Sequence, residues 1–251
     1  VSRLAVDLAR ALDPVTLARG VGMDPDPWQR DVLRTDHPRV LLNVHRQGGK
    51  SVTVATKAVH VAVYEPGSLI LLLSPSQRQS GELFRKVLAV YKSLGRPVPS
   101  DAESATTLSL ESGSRIVSLP GTEGTVRSYS AVRLLLVDEA ARVADDVIAA
   151  VRPMLAVSGG QLIALSTPFG RRGWWFEAWE HGGPSWQRYR VPATKCPRIS
   201  PAFLAEERAA LGEWFYRQEY ETEFGDAQAA AFNSAEIEAC YSTSCEEWEI
   251  P

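Results

Sequence analysis

Apolar positions in the first 19 residues recur at helical spacing (Leu4, Val6, Leu8, Ala9, Leu12), and Asp13-Pro14 breaks the pattern, which predicts an N-terminal helix. A turn-rich stretch over 22–27 leads into a short helix at 28–33 and then into the largely apolar run 40–44, which reads as a buried strand. Gly48-Gly49-Lys50-Ser51 opens a segment reaching Tyr64 that is long enough for a helix despite its valines. A second unit follows, with a strand at 69–73 and a helix at 77–94, so a βαβ crossover is predicted. The strands 107–110 and 115–119 flank Glu111-Ser112-Gly113-Ser114 as a hairpin. Beyond a Gly/Thr-rich loop at 121–130, a strand is predicted at 134–137, a helix at 145–155 and a strand at 162–165. Continuous apolar strands alternating with helices predict an α/β fold, a mostly parallel sheet covered on both faces.

From Gly170 onward the composition shifts toward aromatic residues and helical segments. Trp174, Trp175, Phe176 and Trp179 are expected to pack this region, 186–191 to add an edge strand, and 201–224 to form two helices separated near Gly212. The organisation this suggests is a core with its N-terminal helix over 1–170, a small, mainly helical lid or linker subdomain over 171–226, and the start of a linker over 227–251.

Composition narrows the function classes. With 251 residues and 45% hydrophobic content the chain can bury a sizeable core. Its formal charge of −3 means that any grip on nucleic acid must come from a local patch. Positive charge is nearly all arginine, with lysine only at 50, 57, 86, 92 and 195; this suits bidentate phosphate contacts, and equally a GC-rich genome. Cys196, Cys240 and Cys245 lack a CxxC arrangement and are read as reduced thiols. No apolar stretch is long enough to span a membrane and the first residues lack a secretion-signal layout, so a cytoplasmic location is expected.

The strongest local chemistry lies in His45-Arg46-Gln47-Gly48-Gly49-Lys50-Ser51, between a strand and a helix. Such a loop aims successive backbone amides at phosphate oxygens, and the following helix adds the positive end of its dipole. Lys50 would reach the β- and γ-phosphates and the Ser51 hydroxyl would ligate Mg²⁺. The usual pattern has glycine where this chain has Val44. A second signal is Leu134-Leu135-Leu136-Val137-Asp138-Glu139, an apolar strand ending in paired carboxylates, where Asp138 can hold Mg²⁺ and Glu139 can act as general base on an attacking water. Gln29 beside Trp28 can pair with an adenine edge under a stacked indole, or both can belong to an ordinary amphipathic helix. Ser166-Thr167 can sense a γ-phosphate or merely cap a turn. His45 and His60 are read as structural.

In order and spacing, Arg46-Gln47-Gly48-Gly49-Lys50-Ser51, Asp138-Glu139-Ala140-Ala141 and Ser166-Thr167-Pro168-Phe169-Gly170 resemble the ATPase motifs of tailed-phage large terminases, whose variant phosphate loop carries an arginine ahead of the glycines. The resemblance spans roughly residues 27–225. It implies a P-loop NTPase of the ASCE type, with ATP held by Trp28, Gln29, Gln47, Gly48, Gly49, Lys50, Ser51 and Val52, and Mg²⁺ by Ser51 and Asp138. It further implies catalysis by Glu139, Lys50, Arg46 and Arg127, with coupling of hydrolysis to domain movement through Ser166 and Thr167. Arg127 matches the place of a trans-acting arginine finger, although Ser128 stands where the family has glycine; the alternative is a surface arginine on a flexible loop. Implied partners are double-stranded DNA, sister subunits in a homo-oligomeric ring, a portal protein and a small terminase subunit, at the procapsid portal in the host cytoplasm. A nuclease half with clustered acidic ligands would follow in a complete large terminase; the chain ends at Pro251 before such a cluster, so no DNA cleavage is expected of it. Two other readings share some of these features. A superfamily-2 helicase fragment would need a second motor domain, and a nucleotide-gated binding module would leave Glu139 without a task.

Overall fold

The computed structural model describes residues 2–121 and 129–225. Its N-terminal region is two helices, α1 (Arg3–Leu12) and α2 (Pro14–Gly20), where the sequence pattern suggested one. Asp13 causes the division: its backbone N–H ends α1 on the Ala9 carbonyl, its carboxylate accepts the Val15 N–H, and Pro14 starts α2 where no amide donor is needed. The order then runs α3 (Pro27–Arg34), β1 (Arg39–Val44), α4 (Lys50–Tyr64), β2 (Leu69–Ser74) and α5 (Gln77–Ser93). Next come β3 (Ser100–Glu103), β4 (Thr107–Leu110), β5 (Arg115–Pro120), β6 (Val132–Asp138), α6 (Asp145–Val151) and β7 (Gln161–Ser166). The chain continues through α7 (Gly173–Glu180), β8 (Gln187–Val191), α8 (Pro201–Leu211) and α9 (Glu213–Glu219).

Eight strands of the described residues form one sheet in the order β3-β4-β5-β2-β6-β7-β1-β8. The pairs from β5 to β8 are parallel, and the β3-β4-β5 edge is antiparallel, which includes the expected hairpin. Strand β3, with its polar and exposed sequence Ser-Asp-Ala-Glu, carried no apolar signal and was not foreseen. Successive side chains of the central strands enter opposite layers, as the two-residue period requires. Leu42, Leu72, Leu136 and Ile163 pack with residues of α4 and α5, whereas Leu41, Leu71, Leu135 and Leu162 pack with Val147, Ile148 and Trp175 of α6 and α7. Burying such side chains contributes about 1.5–3 kcal/mol each, enough to hold both helical layers on the sheet.

Beyond residue 170 the chain keeps contributing to this body. Strand β8 pairs with β1, Trp175 is fully buried, and a smaller cluster of Ala193, Leu204, Tyr216 and Tyr220 holds α8 and α9 together. Cys196 is buried; Cys240 and Cys245 lie outside the described residues. No helix of the described residues is long and apolar enough to cross a membrane.

Candidate functional site

Strand order decides the site. Because β7 lies between β1 and β6, the C-terminal ends of all three open on one edge: Asn43 is level with Ser166, and Asp138 with Leu165. The phosphate loop, Ser166-Thr167 and the carboxylate pair are therefore neighbours, with β1 and β6 separated by roughly 10 Å, two strand spacings. This is the crevice at the carboxyl ends of parallel strands where open α/β sheets accept ligands.

The loop from Val44 to Lys50 is shaped by its glycines. A Cβ on Gly48 would come within 2.6 Å of Val44 Cγ1, so the buried valine that replaces the usual glycine itself requires glycine at 48. Gly49 adopts φ +87, and a Cβ there would lie 2.8 Å from Gln29 Nε2. Gln47 also takes a left-handed φ of 63, so the chain turns sharply before α4 begins at Lys50. The Lys50 side chain is buried and its ammonium donates no hydrogen bond to the described residues; Ser51 and Val52 follow in the first turn of α4, half-buried. His45 is buried with Nδ1 2.5 Å from the Arg46 carbonyl, and burial, against that contact, holds its pKa below the ordinary value. His60 likewise contacts the Arg10 and Ala11 carbonyls, as its structural reading anticipated.

Gln29 is buried and committed to the loop. Its Oε1 accepts the Asp26 N–H at 2.8 Å, its Nε2 donates to Thr53 Oγ1 at 3.0 Å, and Thr53 Oγ1 donates to the Gly49 carbonyl at 2.9 Å. In this arrangement Gln29 supports the phosphate loop from behind. Its neighbour Trp28 is half-buried against the core layer that contains α4. A bidentate Arg198–Asp26 pair, at 2.9 and 2.7 Å, ties the same corner to the C-terminal region and keeps the Asp26 pKa low.

At the tip of β6, Asp138 is buried, and its pKa is pushed up to about 6 by desolvation and then by the adjacent Glu139, with Lys50 and Lys86 opposing. A carboxyl held in this way gains from a nearby cation. The oxygen donors of Asp138 and Ser51 suit magnesium, which characteristically takes one or two carboxylates and relies on substrate phosphates for other positions. Among the described residues no cluster of three or more His, Cys, Asp or Glu could hold a metal by itself. Glu139 sits at φ 50, in the left-handed region, and its carboxylate pairs with Arg142 at 3.6 Å. Ser166 Oγ is buried without a partner among the described residues at the end of β7, and Thr167 Oγ1 donates to Glu219 Oε2 at 3.5 Å.

Arg46 pairs with α9. Its backbone N–H donates to the Glu219 carbonyl at 3.0 Å, and its guanidinium, 70% exposed, lies 3.7 Å from the Glu219 carboxylate. Beside it opens a cavity of about 680 Å³ lined by Arg46, Arg142, Phe169, Arg172, Trp214 and Glu219 among others. Arg127 and Ser128 lie outside the described residues. Sequence reading missed Thr53, Arg142 and the Arg198–Asp26 pair. Only Arg142, three residues after Glu139 and thus within reach of it, left a local signal.

No family model matches the chain. The large terminase subunit of Thermus phage G20c is 25% identical over 219 residues, 80% of this chain and 45% of that relative, so the chain spans less than half of the relative's length. The ATPase domain of the Thermus phage P74-26 large terminase superposes with a TM-score of 0.72 at 20% identity, covering 82% of this chain and 96% of that domain. A large terminase from a thermophilic bacteriophage, solved in complex with ADP, gives a TM-score of 0.63 at 13% identity over 86% of this chain and 52% of its own. In fold, and across four-fifths of its sequence, this chain is similar to the ATPase domain of phage large terminases, the family its motifs resemble.

Proposed function

We propose that this chain is a Mg²⁺-dependent ATPase, the motor domain of a large terminase that drives double-stranded viral DNA into a procapsid. The observation that carries this reading is the meeting of three motifs, the 46–51 loop, Ser166-Thr167 and Asp138-Glu139, at the ends of adjacent parallel strands. ATP phosphates would be held by the loop amides of 47–51 and by Lys50 at the positive end of α4, with Gln29 bracing that loop from behind, Trp28 on the adenine side and Val52 in the first helical turn. Glu139 would accept a proton from the attacking water. Magnesium, held by Ser51 and Asp138, would neutralise phosphate charge when bound. Arg127, from a neighbouring subunit in a ring, would do the same for charge developing on the γ-phosphoryl oxygens. Nucleotide use is supported by the likeness to the thermophilic-phage terminase whose structure is in complex with ADP.

Ser166 and Thr167 would sense the γ-phosphate state, and the Thr167–Glu219–Arg46 contacts would pass it to α8 and α9, the part of the expected lid that lies outside the central sheet. Residues 227–251 would begin the linker to a nuclease domain, and cleavage would reside there. A portal protein and a small terminase subunit complete the assembly in the host cytoplasm. The test is ATP hydrolysis by purified Lys50→Ala and Glu139→Gln: both should lose turnover by at least about 10²-fold, with Glu139→Gln still binding nucleotide. Parental rates from either variant would remove the site assignment.

A further inference from the structure

The 3-10 turn Ala140–Arg142 folds back over the tip of β6, so that Arg142 Nη1 lies 3.6 Å from Glu139 Oε2. The same guanidinium covers Phe169, with its Cζ 4.4 Å from the ring centroid, and Arg172 approaches that ring at 5.1 Å. Phe169 belongs to the Ser166-Thr167-Pro168-Phe169 segment, and Thr167 contacts Glu219. One arginine therefore touches both the carboxylate and the segment that follows β7.

These contacts do little for folding. The two side chains of the ion pair are 37% and 27% exposed, and solvent-screened pairs of this kind contribute little to stability. Their geometric consequence is larger. A glutamate has several free torsions, and a carboxylate that must meet a water proton has to be held in place, because a misplacement of about 1 Å can cost about 10²-fold in rate. Among the described residues Arg142 is the cation that pairs with Glu139. We propose that Arg142 is a positioning residue: it holds the Glu139 carboxylate at the strand tip and, by stacking on Phe169, ties that placement to the Ser166–Phe169 segment. The proposal rests on reading Glu139 as the general base.

The test measures steady-state and single-turnover ATP hydrolysis, together with affinity for a fluorescent ATP analogue, on the whole chain. Arg142→Ala should lower kcat about 10- to 100-fold. KM and analogue affinity should stay within about twofold of the parent, because ground-state binding is untouched. Arg142→Lys, which restores the charge without a planar face, should recover part of the loss, and Phe169→Leu should show a smaller deficit in kcat alone. In a Glu139→Gln background, Arg142→Ala should add nothing further, since its effect passes through that carboxylate. The proposal is overturned if Arg142→Ala turns over at the parental rate, if affinity falls in step with kcat, or if its loss persists in the Glu139→Gln background. Full activity of Glu139→Gln would instead remove the base assignment itself. An inactive Glu139→Gln beside a fully active Arg142→Ala removes only the role of Arg142.

Discussion

The two ends of the central sheet treat their polar groups in opposite ways. At the end where β1 begins, the long buried donors are matched to acceptors: Lys57 Nζ donates to the Val32, Leu33 and Thr35 carbonyls, and Gln161 Nε2 to those of Thr35 and His37, while Ser112 Oγ is buried without a partner among the described residues and Ala131 takes a left-handed φ of 55. Arg39 Nη1 donates to the Pro38 and Gly160 carbonyls there. At the other end, Asn43 Oδ1, Ser74 Oγ and Ser166 Oγ are buried without partners among the described residues, Gln47 and Glu139 hold left-handed backbone, and Asp138 is a desolvated carboxyl beside another acid. Orphaned polar atoms and strained residues each cost on the order of 1–3 kcal/mol and persist where something other than folding requires them. The end where β1 begins carries fewer of these costs, and among the described residues only the other end adds a buried carboxyl to them.

Substitutions at both ends test this difference. The largest effect is expected from Arg127→Ala, which should slow hydrolysis by assembled subunits about 10³- to 10⁵-fold while nucleotide binding persists. Mixing it with Glu139→Gln subunits should restore some phosphate release if the arginine acts in trans, and no recovery under assembling conditions would argue against that role. At the end where β1 begins, Lys57→Ala should lower unfolding free energy by about 3 kcal/mol, because several buried carbonyls lose their donor. This loss should depend on pH. Burial lowers the Lys57 pKa from 10.5 to about 8, so between these values the folded lysine has released a proton that the unfolded one keeps, and folding stability rises with pH across that window. Denaturant titrations at pH 7, 8.5 and 10 should therefore show the gap between parent and Lys57→Ala widening by up to about 3 kcal/mol; a gap that narrows would contradict the burial of a charged lysine.

At the other end the signs should reverse. Asp138→Asn is expected to stabilise the nucleotide-free protein by about 1–3 kcal/mol, by removing a buried charge, while abolishing Mg²⁺-dependent turnover. Denaturation and phosphate-release assays on the same preparation check both halves. The smallest effect belongs to Ser166→Ala, whose hydroxyl has no partner to lose among the described residues: stability should stay within about 0.5 kcal/mol of the parent, with the deficit appearing in turnover. A large drop in melting temperature for Ser166→Ala would show that the two ends are not so different.

Much of the fold was legible from local pattern. The parallel strands read as continuous apolar runs because helices cover both faces, and the hairpin at 107–119 was marked by its turn residues. Strand β3 was not legible, since an exposed edge of polar residues has no burial to impose a period. The split between α1 and α2 depends on Asp13 capping in both directions, which a pattern broken by proline signals without specifying. Within the site, the glycine loop and the carboxylate pair were legible as motifs, whereas the inward turn of Gln29 toward Thr53 and the pairing of Arg46 with Glu219 were not.

What could be read from the chain alone is therefore local: which segments are strand or helix, and which loop and strand tip carry paired glycines and paired carboxylates. The insertion of β7 between β1 and β6, the contact of Glu219 with Arg46 across most of the sequence, and the bridge from Glu139 through Arg142 to Phe169 came from folding in three dimensions. The reason is physical. Local periodicity and turn chemistry act over a few residues, but strand order and cross-chain pairing follow from the packing of two helical layers on one sheet, which no short stretch encodes.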